Sequence, residues 1–138
     1  MPDAIATVLV IDDDCFVRET ARTILESNGY AVREAGDGEA GLSSLAANRT
    51  DIVLLDILMP RKEGLETLIE LKQRFPDVTV FAMSASGARK GHDFLAIAAK
   101  FGAHGLLPKP FSPDELLALV RSHPLPRRSA AVGVAVGT

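Results

Sequence analysis

The chain has 138 residues, of which 47% are hydrophobic and 24% are charged, and its formal net charge is -3. This composition is typical of one globular domain, and the net charge lacks the excess of positive charge that is typical of nucleic-acid-binding domains. The single cysteine excludes an internal disulfide, and no apolar run approaches the ~18 residues that a membrane-spanning helix needs. We therefore expect a cytoplasmic protein that binds neither nucleic acid nor a membrane.

Five short apolar runs have the length and character of buried strands. In chain order they are Thr7–Ile11, Tyr30–Glu34, Ile52–Leu55, Val78–Met83 and Gly105–Leu107. Each is followed by a stretch with apolar residues at helical spacing. The predicted helices run from Phe16 to Asn28, from Asp37 through Leu45, after Pro60 through Leu71, from Phe94 to Phe101 and from Ser112 through Val120. Strands that alternate with helices predict an α/β fold, with a parallel sheet covered by helices on both faces.

Local signals mark several helix ends. Gly29 follows the first predicted helix, where a residue with positive φ is favoured. Ser112 and Glu115 have the spacing of a capping box, which predicts a well-defined start for the last helix. Asp14 lies at the start of the first helix, where a negative charge is favoured.

The carboxyl ends of the predicted strands carry the polar residues of greatest interest. Asp12 and Asp13 follow the first strand, Asp56 the third, Ser84 the fourth and Lys109 the fifth. In an open parallel sheet these ends share one edge, where ligands bind. Neighbouring carboxylates repel each other, and a divalent cation that prefers oxygen ligands, such as Mg²⁺, relieves the repulsion. An added ammonium and hydroxyl suit the transfer of a phosphoryl group to an aspartate.

Three segments resemble the receiver domain of two-component response regulators, namely Val8–Asp14, Asp51–Pro60 and Pro108–Phe111. The resemblance implies a doubly wound sheet of flavodoxin-like strand order 2-1-3-4-5. We expect the receiver domain to cover residues 5–122 and a mobile tail to cover residues 123–138. No output domain is visible after the last helix, so we expect a single-domain protein.

The resemblance also implies a function. The chain would be a phosphoacceptor switch rather than an enzyme. It would receive its phosphoryl group from a sensor histidine kinase or a histidine phosphotransfer protein. It would then signal to a downstream protein target by a conformational change, as a monomer or as a phosphorylation-dependent dimer.

A metal site is part of what the resemblance implies. Asp12 and Asp13 resemble the acidic pair that holds Mg²⁺, with Asp13 as the expected direct ligand. Asp56 and the backbone carbonyl of Leu58 would complete the protein ligands.

The remaining roles concern phosphoryl transfer. Asp56 resembles the phosphoacceptor, Ser84 the residue that closes on the phosphoryl group, and Lys109 the lysine of the site. The peptide bond between Lys109 and Pro110 would be cis. Leu106 departs from the pattern, because many receivers carry an aromatic switch residue there.

Two other functions stay open at this point. A haloacid-dehalogenase-like phosphohydrolase would use Asp12 as the nucleophile and Asp14 as the acid–base, but it leaves Asp56 unexplained. A pseudo-receiver would keep the fold as a binding module and lack the switch.

Overall fold

A computed structural model of the chain describes residues 4–57, 63–85 and 96–123. Its strands are β1 (Thr7–Ile11), β2 (Ala31–Ala35), β3 (Ile52–Asp56), β4 (Thr79–Ala85) and β5 (Gly105–Lys109). Its helices are α1 (Cys15–Glu26), α2 (Gly38–Ala47), α3 (Glu63–Arg74), α4 (helical over 96–100) and α5 (Pro113–Ser122). The alternation of strands and helices confirms the predicted α/β class.

The five strands form one parallel sheet in the order β2-β1-β3-β4-β5, as the resemblance implied. Strand β3 lies at the centre, and all five of its residues are buried. A hydrophobic cluster covers each face of the sheet. Helices α1 and α5 contribute to the first cluster, and helices α2, α3 and α4 contribute to the second. The core therefore has the three layers of a doubly wound fold.

Several strands differ in length or position from the prediction. Strand β2 begins and ends one residue later than expected, β3 extends one residue further and includes Asp56, and β4 and β5 each extend two residues further. Ser84 pairs with Pro108, and Ala85 pairs with Lys109, so both candidate site residues belong to strands instead of following them. Pro108 and Pro110 obscure the extension of β5 in the sequence. A proline is tolerated in β5 because this strand lies at the edge of the sheet, where a missing N–H donor costs little.

The three local signals of helix ends are confirmed, although α1 begins at Cys15 and ends at Glu26, not at the expected Phe16 and Asn28. Asp14 caps α1 by accepting a hydrogen bond from the Phe16 backbone N–H. Ser112 and Glu115 form the capping box of α5, with distances of 3.0 and 2.8 Å for its two hydrogen bonds. Gly29 has a φ of 95°.

Some expectations fall outside the part of the chain that the structure describes. These are the carbonyl of Leu58 and residues 124–138 of the predicted tail. Within the described residues, no helix has the length and apolar character that crossing a membrane requires.

Gly64 brings α3 into direct contact with the end of β3. A Cβ atom at this position would lie 2.3 Å from the Cα and the carbonyl oxygen of Ile57, the residue after Asp56. Backbone atoms cannot rotate away as a side chain can, so α3 or the chain after Asp56 would have to move. The absence of a side chain at residue 64 thus helps to fix the backbone beside Asp56.

We predict that Gly64→Ala lowers the free energy of unfolding by about 1 kcal/mol or more in urea denaturation. Overpacking costs about 1–3 kcal/mol, which outweighs the gain of at most about 1 kcal/mol in helix propensity. Gly36→Ala is the control, because its Cβ would meet only the Arg18 side chain, at an ordinary 3.6 Å. Equal stabilities for the two variants would contradict the packing argument.

Candidate functional site

The strand register places three charged side chains on one side of the sheet edge. Ile11 of β1 pairs with Leu55 of β3, so Asp12, directly after β1, lies beside Asp56, the last residue of β3. Side chains alternate between the two faces along a strand. Asp12, Asp56 and Lys109 each lie two residues beyond a member of the cluster under α1 and α5, namely Val10, Leu54 and Leu107.

Three carboxylates meet at this edge. One oxygen atom from each of Asp12, Asp13 and Asp56 lies within 4.8 Å of the others. Asp12 is completely buried and Asp56 is 3% exposed, whereas Asp13 is exposed to solvent. The donor set consists of hard oxygen atoms with one side open to water, which fits a Mg²⁺ ion that retains several waters.

The ammonium group of Lys109 faces two of these carboxylates. Its Nζ donates to Oδ2 of Asp12 at 2.9 Å and to Oδ2 of Asp56 at 3.4 Å. Burial by itself would lower the pKa of Lys109. The hydrogen bond to Asp12 and the negative charges of both carboxylates outweigh that effect, so the pKa is raised. Lys109 therefore carries a full positive charge at neutral pH.

Asp12 lies in an environment that disfavours its charge. Burial is the main cause that raises its pKa, and the nearby charge of Asp56 raises it further. The backbone N–H of Asp14, at 2.9 Å from Oδ1, and the Lys109 ammonium act in the opposite direction. The pKa nevertheless stays above its usual value, so the lysine only partly compensates the buried negative charge.

Ser84 has a different position from the charged residues. It is completely buried, and its hydroxyl donates to the Ala85 carbonyl at 3.4 Å. It lies two residues beyond Ala82, which belongs to the cluster on the other face of the sheet. The structure thus gives Ser84 a bond to its neighbour in the chain and not to the carboxylates.

Two further features of the resemblance can be located. The Lys109–Pro110 peptide bond is cis, as expected. Leu106 is 37% exposed on β5, the edge strand of the sheet.

Arg18 was missed by the sequence analysis. Its Nη1 donates to the backbone carbonyl of Asp12 at 2.7 Å, so it contacts the loop that carries the acidic pair. A signal was present, because a positive charge close to a helix N-terminus is electrostatically unfavourable and calls for a specific partner.

The sequence of the chain matches a known family and its members. The family described as response regulator receiver domain matches residues 8–121. Response regulator MprA of Mycobacterium sp. (strain KMS) is 41% identical over 115 residues, which are 83% of this chain and 49% of MprA. The chain thus spans about half the length of the curated relatives that it matches.

Solved structures give the same result. The receiver domain of NtrX from Brucella abortus superposes with a TM-score of 0.78 at 29% identity, covering 83% of this chain and 95% of that one. A CheY-like receiver domain protein from Methanospirillum hungatei JF-1 has a TM-score of 0.76 at 25% identity, covering 86% of this chain and 93% of that one. Together with the family match over residues 8–121, these likenesses show that the chain belongs to the receiver domain family of two-component response regulators.

Proposed function

We propose that this receiver accepts a phosphoryl group on Asp56 in a Mg²⁺-dependent reaction. The donor would be a sensor histidine kinase or a histidine phosphotransfer protein, and the phosphorylated state would be read by a downstream protein. The single-domain organisation, the cytoplasmic location and the monomer or dimer state stay predictions beside this proposal.

One observation carries the proposal. The Lys109 ammonium lies within hydrogen-bonding distance of both Asp12 and Asp56, next to the third carboxylate of Asp13. Three carboxylates and one ammonium thus share an edge that is open to solvent, and both of the buried carboxylates contact that ammonium.

The arrangement suits phosphoryl transfer. An oxygen of the Asp56 carboxylate attacks phosphorus and forms a new P–O bond, while the bond from phosphorus to the donor breaks and its electron pair leaves with the donor. Lys109 offers its positive charge to an oxygen of the transferred group. Asp12, Asp13 and Asp56 would hold a Mg²⁺ ion, whose charge would neutralise more of the negative charge on the phosphoryl group. We assign Ser84 the role of closing on the phosphoryl group. For this its hydroxyl must give up the hydrogen bond to the Ala85 carbonyl and donate to the phosphoryl group instead.

The geometry supports this assignment over a phosphohydrolase. That alternative needs Asp14 as the acid–base, but Asp14 is exposed and caps α1 through the Phe16 N–H. It also leaves Asp56, which is buried and faces the Lys109 ammonium, without a role. The complete set of charged residues likewise favours a working receiver over a pseudo-receiver.

The first test is labelling by a small acyl phosphate, followed by intact-protein mass spectrometry. We expect one phosphoryl group per chain in the presence of Mg²⁺ and none after Asp56→Asn. Asp14→Asn is the matched control, because asparagine caps a helix as well as aspartate does. Labelling that survives Asp56→Asn would contradict the proposal. Loss of labelling in Asp14→Asn, with continuous hydrolysis of phosphate esters by the unmodified chain, would favour the phosphohydrolase.

The second test is thermal or urea denaturation with increasing Mg²⁺. An ion that binds only the folded state at 100 times its dissociation constant stabilises it by about 2.7 kcal/mol. We expect Asp56→Asn to lose most of this gain. Asp77→Asn should retain it, because Asp77 is exposed in the turn before β4, at the opposite end of the strands.

The pH dependence of that gain follows from Asp12. Its pKa is raised by burial, so the folded state takes up this proton more readily than the unfolded chain does. Protons therefore compete with Mg²⁺, and the Mg²⁺-dependent stabilisation should shrink as the pH falls. The decline should begin at a higher pH than the usual aspartate value of 3.8 would give. A Mg²⁺ effect that is constant from neutral to acidic pH would contradict this assignment.

A further inference from the structure

We propose that Arg18 is a positioning residue for the metal site, which it serves by holding the peptide between Asp12 and Asp13. The inference rests on the proposed function and adds to it a residue that touches neither the cation nor the phosphoryl group. Arg18 acts on the site by fixing the direction in which the Asp13 carboxylate points.

The backbone around Asp12 is held from both sides. The N–H of Asp12 donates to the Ala35 carbonyl of β2 at 3.1 Å. The carbonyl of Asp12 accepts from Nη1 of Arg18 at 2.7 Å. The second of these bonds is the shorter one, and it comes from a charged donor, which makes it the stronger type.

Asp13 depends on this backbone more than Asp12 does. The Asp12 carbonyl and the Asp13 N–H belong to one planar peptide unit, so a bond that fixes the carbonyl also fixes where the next residue begins. Asp12 has further anchors at its own side chain, from Asp14 and Lys109. Asp13 is exposed, and the core does not fix its direction.

Arg18 is itself held by Glu34 on β2. Nε of Arg18 donates to Oε1 of Glu34 at 3.0 Å, and Nε of Arg22 donates to the other oxygen at 2.6 Å. The hydrogen bond from Arg22 is the largest cause of a lowered pKa of Glu34, with a further contribution from Arg18. Glu34 therefore stays ionised and presents a fixed acceptor. The Arg18 guanidinium can bridge β2 and the acidic loop because its donors form a rigid planar fork.

Charge alone predicts the opposite effect. A positive side chain close to a cation site repels the cation, so removing it would tighten Mg²⁺ binding. A positioning role predicts weaker binding instead. The direction of the change in affinity separates the two mechanisms.

Arg22 provides a matched control for Arg18. Both arginines lie on α1 and both donate to Glu34, but the other hydrogen bond of Arg22 is to Glu26, at 2.7 Å, and not to the acidic loop. A variant at either position loses one positive charge and one bond to Glu34. Only a variant at Arg18 also loses the bond to Asp12.

The test is the Mg²⁺ dissociation constant of the full chain, measured by calorimetric titration. We expect Arg18→Gln to raise it about tenfold, the lower end of the range for residues that orient metal ligands. Arg22→Gln should change it by less than about twofold, as expected for a partly exposed ion pair. Equal changes in the two variants, or tighter binding by Arg18→Gln, would overturn the inference.

Two further variants complete the test. Arg18→Lys keeps the charge but lacks the fork, so it should also bind Mg²⁺ more weakly than the unmodified chain, and it carries the test if Arg18→Gln fails to fold. In an Asp13→Asn background, Arg18→Gln should add little, because the two changes act on one ligand. A further tenfold rise of the Mg²⁺ dissociation constant in that background would contradict an effect of Arg18 that acts through Asp13. Failure of the unmodified chain to bind Mg²⁺ would instead overturn the proposed function itself.

Discussion

Two buried carboxylates, Asp12 and Asp56, face one ammonium group at the carboxyl edge of the sheet. At a separation of about 4 Å and an effective dielectric of about 20, a pair of unit charges interacts by about 4 kcal/mol. Lys109 contacts both buried carboxylates, and Asp13 brings a third carboxylate within 4.8 Å. A divalent cation would relieve the repulsion among the three carboxylates. Burial, followed by the charge of Asp56, raises the pKa of Asp12, so negative charge is disfavoured at this position.

The fold brings together groups that are remote along the chain. Lys109 lies 97 residues from Asp12 and 53 from Asp56. Strand β5 lies two strands away from β3, which is about 10 Å at the usual spacing. Only a long side chain can span that distance, and it must pass the end of β4. The residues there, Ser84 and Ala85, are small. The contact between Lys109 and Asp56 therefore depends on the length of the lysine side chain, on the two small residues at the end of β4 and on the strand order.

Periodicity was enough to predict the sheet and the edge where the charges collect. The central strand β3 is buried on both faces, so its sequence is continuously apolar and easy to recognise. The final residues of β5 were not predicted, because Pro108 and Pro110 hide a strand that pairs at the edge of the sheet. The bond from Arg18 to the Asp12 carbonyl was also missed, because the position of Arg18 near the start of α1 indicates that it needs a partner but does not specify which backbone atom it contacts. Ser84 lies at the carboxyl end of β4, but its hydroxyl donates to the Ala85 carbonyl, a direction that the sequence alone does not fix.

The most direct test of a cation shared between the loop after β1 and the end of β3 is a crystal structure with Mn²⁺, located by its anomalous scattering. Mn²⁺ accepts the same octahedral oxygen ligands as Mg²⁺. The account predicts one strong peak about 2 Å from carboxylate oxygens of both Asp13 and Asp56, with the Lys109 ammonium still facing the pair. A peak bound by only one of these two segments, or no peak at this edge at Mn²⁺ concentrations that stabilise the fold, would contradict it.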